Sequence, residues 1–466
     1  MYPWAMVLFC SGVALLVAIE RPSIGRGPGR LLDWSLLACL AVVAAQMIPL
    51  SVAWRARVSP QALEVDRALR LTAAPANLAP HGVSLDVEST AWALALGASY
   101  VGLFWCARAI FSRGGIRTTT RGVAWIGLAL TALVVVQRAT SPTLLYWHWR
   151  ALAPKAQPYG PFVNRTSLAT WLAMAVPLVV GFAMARYQSR PRTGGVAAPA
   201  ASIDSTQVWL AGAAVFMTGG LLGSLSRAGI LGCAAGLMAF VIVSRGRLTH
   251  GRGGAWMIAG LAAMAALASV YGNFGALALR LQEITEQGEW GRPAIWRDTW
   301  RMTRDFWLTG VGAGAYQQGM LVYQQSSRLF FFNHAHDEYL QIIAEGGLLL
   351  AVPTAIAVLA AVTLMVTRLR ADRSAIFWVR AGAVSSVIAV AVQSVWDTGL
   401  RIPANGALFA VIAAIALHEP HGSNGSHGSP SSHGRDGSPG ERTGRRRRVR
   451  WQWNAGSTGT TSPTRT

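Results

Sequence analysis

The stretch Phe330–Leu350, FFFNHAHDEYLQIIAEGGLLL, carries the chain out of a polar loop, through three phenylalanines, into an apolar helix long enough to cross a bilayer. At the threshold it sets His334, His336, Asp337 and Glu338 almost side by side. Taken as helix from Asp337 at 100° per residue, Asp337, Gln341 and Glu345 form one polar stripe, with Leu340, Ile343 and Gly347 on the His336 side. Polar groups at the mouth of a membrane helix are costly and usually functional. Both the fold class and the search for a site therefore start here.

The apolar habit of this stretch recurs from end to end. Of 466 residues, 52% are hydrophobic and only 13% charged. That composition predicts an all-α, polytopic helical membrane protein, because backbone that crosses lipid must satisfy its hydrogen bonds within each segment. About eleven spans of roughly 17–25 residues are expected, at 4–20, 32–50, 90–111, 122–138, 166–186, 207–225, 228–244, 255–272, 337–367, 376–396 and 402–418. A net charge of +21 would suit nucleic acid, but the arginines cluster beside the ends of apolar segments. That placement argues for a lipid bilayer and against a nucleic-acid partner. Arg21/Arg26/Arg30, Arg113/Arg117/Arg121, Arg186/Arg190/Arg192, Arg245/Arg247/Arg252 and Arg368/Arg370/Arg373 mark alternate connections, all expected to be cytoplasmic. The N-terminus is then outside and the C-terminus inside, and the longer loops Ser51–Ser89, Ala139–Arg165 and Asn273–His336 face out.

The first apolar run, Trp4–Ile19, is followed and not preceded by arginines, so it reads as an anchored span and not a cleaved signal peptide. Cys10, Cys39, Cys106 and Cys233 all fall inside apolar segments, which suggests no disulfide framework and no CxxC metal site. The expected organisation is residues 1–272 with the earlier spans, 273–336 as a large outer loop with an amphipathic helix, 337–418 with the last spans, and 419–466 as a basic tail. The tail is Gly, Ser, His and Arg with little to bury, so it is expected to be disordered. Its Arg445–Arg448 with Trp451 and Trp453 would suit anionic lipid or plain solvation. Its regularly spaced His421, His427 and His433 read as low complexity sooner than as metal ligands.

Four features stand out chemically. Ser226-Arg227-Ala228-Gly229 forms a tight turn between two spans on the outer side, where positive charge is normally scarce. Arg227 there is either a snorkelling arginine or an anion clamp. Arg292 to Arg297 opens an amphipathic segment with Ile295, Trp296, Trp300, Met302, Phe306 and Trp307. Arg297, Arg301 and Arg304 read as its solvated face, and Arg292 lies outside that regular pattern. The segment ends in Gly310-Val311-Gly312-Ala313-Gly314, a turn that glycines make easily; no strand precedes it, so it does not read as a dinucleotide site. Pro161-Phe162-Val163-Asn164-Arg165 leads into another span behind Tyr146, Trp147, Trp149 and Tyr159, aromatics that suit a membrane interface or the stacking of sugar rings. The His334–Glu338 cluster admits three readings: a metal site, a helix cap by Asp337 with a bystander histidine, or a general base at the lipid–water boundary. The last is preferred.

In this order these motifs resemble the O-antigen ligase and polymerase superfamily of bacterial envelope glycosyltransferases, over about residues 80 to 350. Ser84-Leu85-Asp86 is similar to the family's early outer-loop pattern, Phe162 to Arg165 to its FxN motif, and Ser226-Arg227 to its serine–arginine turn. Arg292 to Trp296 and the glycine turn resemble the loop-helix signature, and His336 to Gly347 the HNxxLQxxxExG hallmark. The sequence departs from the family at Asp337, where an asparagine is usual, at Leu350, where a glycine often stands, and in an expected span count one short of the usual number.

The resemblance implies a multi-pass enzyme of the bacterial inner membrane with a periplasmic active face, working without a cofactor or metal. Its substrates would be a glycan on a polyprenyl pyrophosphate and an acceptor hydroxyl on a glycolipid, glycan or protein. It also implies that Arg227 and Arg292 hold the pyrophosphate, as planar guanidinium groups suit phosphate oxygens. His336 would take the acceptor's proton as catalytic base, and Asp337 would orient the imidazole or raise its basicity. Asn164 and Arg165 are further substrate-binding candidates, while Glu345 and Gln341 would brace the helix. A ligase and a polymerase of repeat units both fit, and a transporter is the alternative of another class.

Overall fold

The computed structural model describes residues 3–69, 81–150, 159–189, 205–248, 292–326 and 331–419. The expected span at 255–272, the loop residues 273–291, and the tail with its histidines and Arg445–Arg448 lie outside the described residues. What is described is almost entirely helical: α1 (Pro3–Glu20), α2 (Arg30–Ala45), α3 (Val52–Val58), α4 (Pro60–Leu69), α5 (Val87–Arg113), α6 (Ile116–Thr140), α7 (Arg165–Gln188), α8 (Ser205–Gly223), α9 (Arg227–Leu248), α10 (Arg292–Asp305), α11 (Tyr316–Tyr323), α12 (Glu338–Ala371), α13 (Ile376–Gln393) and α14 (Pro403–Ala416). A two-stranded ladder, Leu144–Leu145 with Trp149–Arg150, interrupts the helices.

Among the described residues nine helices are long and apolar enough to cross a membrane. They are α1, α2 with its lead-in turn, α5 to α9, α12 and α13, each where an apolar run of the sequence predicts a span. α14 is shorter, yet it runs between the two ends of the bundle. Asn405 near its start donates to Ser167 O (3.0 Å), and His418 O just past its end accepts from Arg380 (2.5 Å). The short helices α3 and α4, within the connection between α2 and α5, have no counterpart among the expected elements.

α7 is the axis of the bundle, with 89% of its most apolar window buried. Lipid tails are as apolar as side chains, so close packing of small residues and interhelical hydrogen bonds hold such helices together. α7 and α13 cross at Gly181 and Gly382. A Cβ on the former would stand 2.4 Å from Trp378 O, and one on the latter 2.6 Å from Pro177 O. Ser386 Oγ donates to Met174 O across the same contact (2.6 Å). Gly232 and Gly236 of α9 press in the same way on Ala389 and Ser385. At the rim, α1 leaves Trp4, Leu8, Leu15 and Ile19 exposed, the pattern of a lipid-facing helix.

The connections sort into two ends. Arg113 pairs with Glu20, and Arg108 with Asp33 (2.6 Å). Arg380 bridges Asp372 Oδ2 (2.7 Å) and His418 O, Arg368 pairs with Glu419 (2.6 Å), and Arg247 donates to Asp372 O with its guanidinium 3.6 Å from the centroid of the Phe377 ring. These contacts gather the arginine-rich connections of the sequence at one end, as the alternation requires. The other end carries Leu50–His81, Ser84–Asp86, the glycine turn 310–314, His336 and the connection 394–402.

One expected element is corrected. The sequence predicts an uninterrupted span over 337–367, but α12 breaks at Gly347 (φ +56°, ψ −159°). The part before the break, from Glu338, is only about two and a half turns; the part after it, from Leu348 to Ala371, is long enough to span alone. A break frees backbone groups that lipid cannot satisfy. Here another segment takes them: Val311 N donates to Ala344 O (3.0 Å), Gly312 N to Glu345 O (3.0 Å), Leu348 N to Trp307 O (2.8 Å) and Leu349 N to Leu308 O (3.1 Å). Gln46 of the α2 terminus stitches the junction, donating to Thr309 O (2.8 Å) and Glu345 O (2.9 Å) and accepting from Ala313 N (3.0 Å). A Cβ at Gly310 would lie 2.2 Å from the Glu345 carbonyl carbon and one at Gly312 2.1 Å from Ser84 Oγ. The glycine turn is thus the packing partner of the broken helix.

Candidate functional site

The break leaves the first half of α12 as a short arm at the mouth of the bundle, and the arm carries the polar stripe. Asp337 caps it, its Oδ1 accepting from Tyr339 N (2.9 Å) and Leu340 N (3.0 Å). Gln341 and Glu345, one and two turns on, are buried and bonded to each other, Gln341 Nε2 to Glu345 Oε1 at 2.9 Å. Glu338 and Glu345 both meet Arg401, whose Nε lies 3.2 Å from Glu338 Oε1, Nη1 3.1 Å from Glu345 Oε1 and Nη2 2.9 Å from Glu345 Oε2. Burial opposes the charge on Arg401, but the two carboxylates hold its pKa above the ordinary arginine value.

His336 stands just ahead of this arm in a left-handed conformation (φ +53°). Burial lowers its pKa below the ordinary histidine value and so does the Arg292 cation, while the Asp397 carboxylate works the other way. Arg292, the first residue of α10, shares electrostatic range with Asp397 and Arg227; its pKa is lowered by desolvation and by Arg227, against the pull of Asp397. Asp397 is raised by burial and held down by His336, by its bonds to Thr398 and Gln393, and by Arg292. Arg292 thus lies within electrostatic range of Arg227 as well as of His336 and Asp397, residues distant from one another in sequence. His334 points elsewhere chemically. Burial, Arg401 and His336 push its pKa down to about 4 against Glu345, so it stays neutral beside the arm.

The remaining expected residues are placed by local contacts of their own. Asn164 caps α7, its Oδ1 accepting from Thr166 N at 3.0 Å, and Arg165 begins that helix. A turn into α7, Thr170 Oγ1 accepts from Gln393 Nε2 (2.6 Å), and Gln393 also reaches Asp397 (3.4 Å), which links the start of α7 to the His336 cluster. Arg227 begins α9 after a turn in which Ser226 Oγ accepts from Gly229 N (3.3 Å). Arg297, Arg301 and Arg304 are exposed on α10, as a solvated face should be, while its Trp296 turns inward and donates to Ala335 O (3.0 Å). In the loop ahead of α7, Tyr146 and Trp147 occupy left-handed backbone positions (φ +51° and +61°). Their polar tips are bonded to Pro161 O (3.2 Å) and Thr140 Oγ1 (2.7 Å).

Residues 212–355 match the family model described as O-Antigen ligase. This match supports membership of the O-antigen ligase superfamily. No match was found among curated proteins. The family match takes in Arg227, Arg292 and His336 and stops within α12, so Asp397 and Arg401 lie beyond it. Sequence reasoning missed both residues. A signal was present: they are the two charges of Ser394–Ile402, a connection that the arginine alternation of the sequence assigns to the same side as Arg227, where an arginine is unexpected.

Proposed function

We propose that this O-antigen ligase-type membrane protein is a glycosyltransferase that moves a glycan from a polyprenyl pyrophosphate to an acceptor hydroxyl, at the face opposite its arginine-rich end. In a bacterial inner membrane that face is periplasmic. The supporting observation is that Arg292 lies within electrostatic range of His336 and Asp397 on one side and of Arg227, from a separate helix, on the other. A diphosphate needs fixed positive charge, and an attacking hydroxyl needs a neutral base beside it; these residues offer both.

The step balances without a further reactant. The acceptor oxygen bonds to the anomeric carbon as the bond from that carbon to the pyrophosphate oxygen breaks. The hydroxyl proton passes to His336, and the polyprenyl pyrophosphate leaves with its charge held by Arg227 and Arg292. Removing one such electrostatic donor typically costs about 3–4 kcal/mol of barrier. In this reading Asp397 steadies the imidazolium that forms. Asn164 and Arg165 at the start of α7, and Asp337 at the start of α12, flank the substrates on the helices they help to set.

His336→Ala and Arg227→Ala are each expected to abolish transfer while the protein still reaches the membrane; near-normal transfer by either variant rejects the reading. Glycolipid profiles of a deletion strain then divide the class. Undecorated acceptor beside accumulated polymer marks a ligase, and single repeat units on the acceptor mark a polymerase.

A further inference from the structure

Ala335, the residue that precedes His336, is held at both of its backbone polar groups. The N–H of Ala335 donates to Gln341 Oε1 at 2.6 Å, and its carbonyl accepts from Trp296 Nε1 at 3.0 Å. Beyond His336 the chain is fixed again, by the Asp337 cap and by Glu338 N donating to Ser394 O at 2.9 Å. Between these points His336 takes a φ of +53°, a conformation that a residue with a Cβ keeps only when its surroundings over-determine it.

Gln341 can hold the Ala335 N–H only while its amide faces the right way. Its nitrogen is committed to Glu345 Oε1, which leaves its oxygen for Ala335. Glu345 is in turn gripped at both oxygens by the Arg401 fork. Gln341 and Glu345 are 0% and 4% exposed, so water does not compete for these bonds. The order runs from guanidinium to carboxylate to amide to the N–H of Ala335, and ends one residue before the imidazole.

We propose that Arg401 and Gln341 are positioning residues for His336, acting through Glu345 and the Ala335 N–H. This rests on the reading of His336 as the base. It adds that the direction of the imidazole is set by a guanidinium outside the family-matched domain, from the connection between α13 and α14. A merely structural role for Arg401, neutralising Glu338 and Glu345 at the membrane mouth, makes a different prediction. Under that role, cutting the relay at neutral Gln341 leaves His336 untouched.

Gln341→Met is the decisive variant, because it leaves Arg401, Glu345 and Glu338 paired and Arg292, Asp397 and His334 around His336 unchanged. Full-length protein in nanodiscs is treated with diethyl pyrocarbonate, and carbethoxylation of His336 is followed by peptide mass spectrometry. Transfer from a short polyprenyl-pyrophosphate-linked glycan is measured alongside. The expected result is a changed carbethoxylation rate and a fall in kcat of at least about ten-fold with donor KM held. Arg401→Lys, which keeps the charge and loses the fork, is expected to move both readouts in the same direction. A folded Gln341→Met protein with wild-type His336 reactivity and wild-type kcat overturns the proposal. If Gln341→Met does not fold, the double variant Arg401→Gln/Glu345→Gln, which removes both charges together, is judged by the same criterion. Should His336→Ala retain transfer, the base assignment fails by itself, and the carbethoxylation comparison still decides whether the relay orients the ring.

Discussion

A base that accepts a proton from a hydroxyl works only while it is neutral. Burial and the Arg292 cation keep His336 in that form to lower pH than an ordinary histidine, against the opposing influence of Asp397. The acidic limb of the transfer rate is therefore expected below about pH 6.5. The anion at Asp397 favours the imidazolium, so Asp397→Asn should lower the His336 pKa and move that limb further down. A pH–rate profile of the two proteins checks the sign, and a limb that stays or rises removes Asp397 from the surroundings of the ring. His334, already down at about 4, stays neutral through that range. At this scale the sequence is legible where a residue type is out of place for its side of the membrane, as Arg227 is. Arg401 is equally out of place but stands in a short connection with no motif around it, and Asp397, an acid, violates no charge rule there.

Helix periodicity records which residues share a face and is blind to a single residue that leaves the helix. Counting apolar residues from Asp337 to Thr367 therefore finds one span, and the two glycines after Glu345 pass as small packing residues. The break depends on a partner remote in sequence, the 307–312 backbone, and no local pattern near Gly347 announces it. Gly347 is expected to tolerate no side chain. Its φ is +56°, and a Cβ would stand 2.4 Å from the Leu308 carbonyl carbon. Gly347→Ala should cost at least about 3 kcal/mol, seen as a lost or strongly lowered melting transition in detergent. Gly12→Ala on α1, where a Cβ meets nothing within 4 Å, is the control and should melt as wild type.

For the molecule as a whole, nine of the expected spans reappear as unbroken helices, and a tenth, 337–367, in two halves, because each is a self-contained run of apolar residues between charges. The alternation of arginine-rich connections likewise sorts the described loops to two ends without any knowledge of tertiary contact. Sidedness follows as a prediction. With Cys10, Cys39, Cys106 and Cys233 replaced, a single cysteine at exposed Asn333 should react with an impermeant maleimide on cells whose inner membrane is intact. One at exposed Arg373 should react only after that membrane is opened. The reverse pattern would put the His336 cluster on the wrong side for an exported lipid-linked donor.

The pairing of residues 307–312 with 344–349 also bears on how the chain is made. The ribosome delivers the glycine turn before it delivers the break, so the strip of backbone that must receive Ala344 and Glu345 already exists when they emerge. The long half from Leu348 can pass from the insertion machinery into lipid unaided. The short arm from Glu338 cannot, and must be folded back onto that waiting strip and onto Gln46 of the still earlier α2 terminus. Assembly of this mouth would then wait until the Arg401 connection arrives to clasp it.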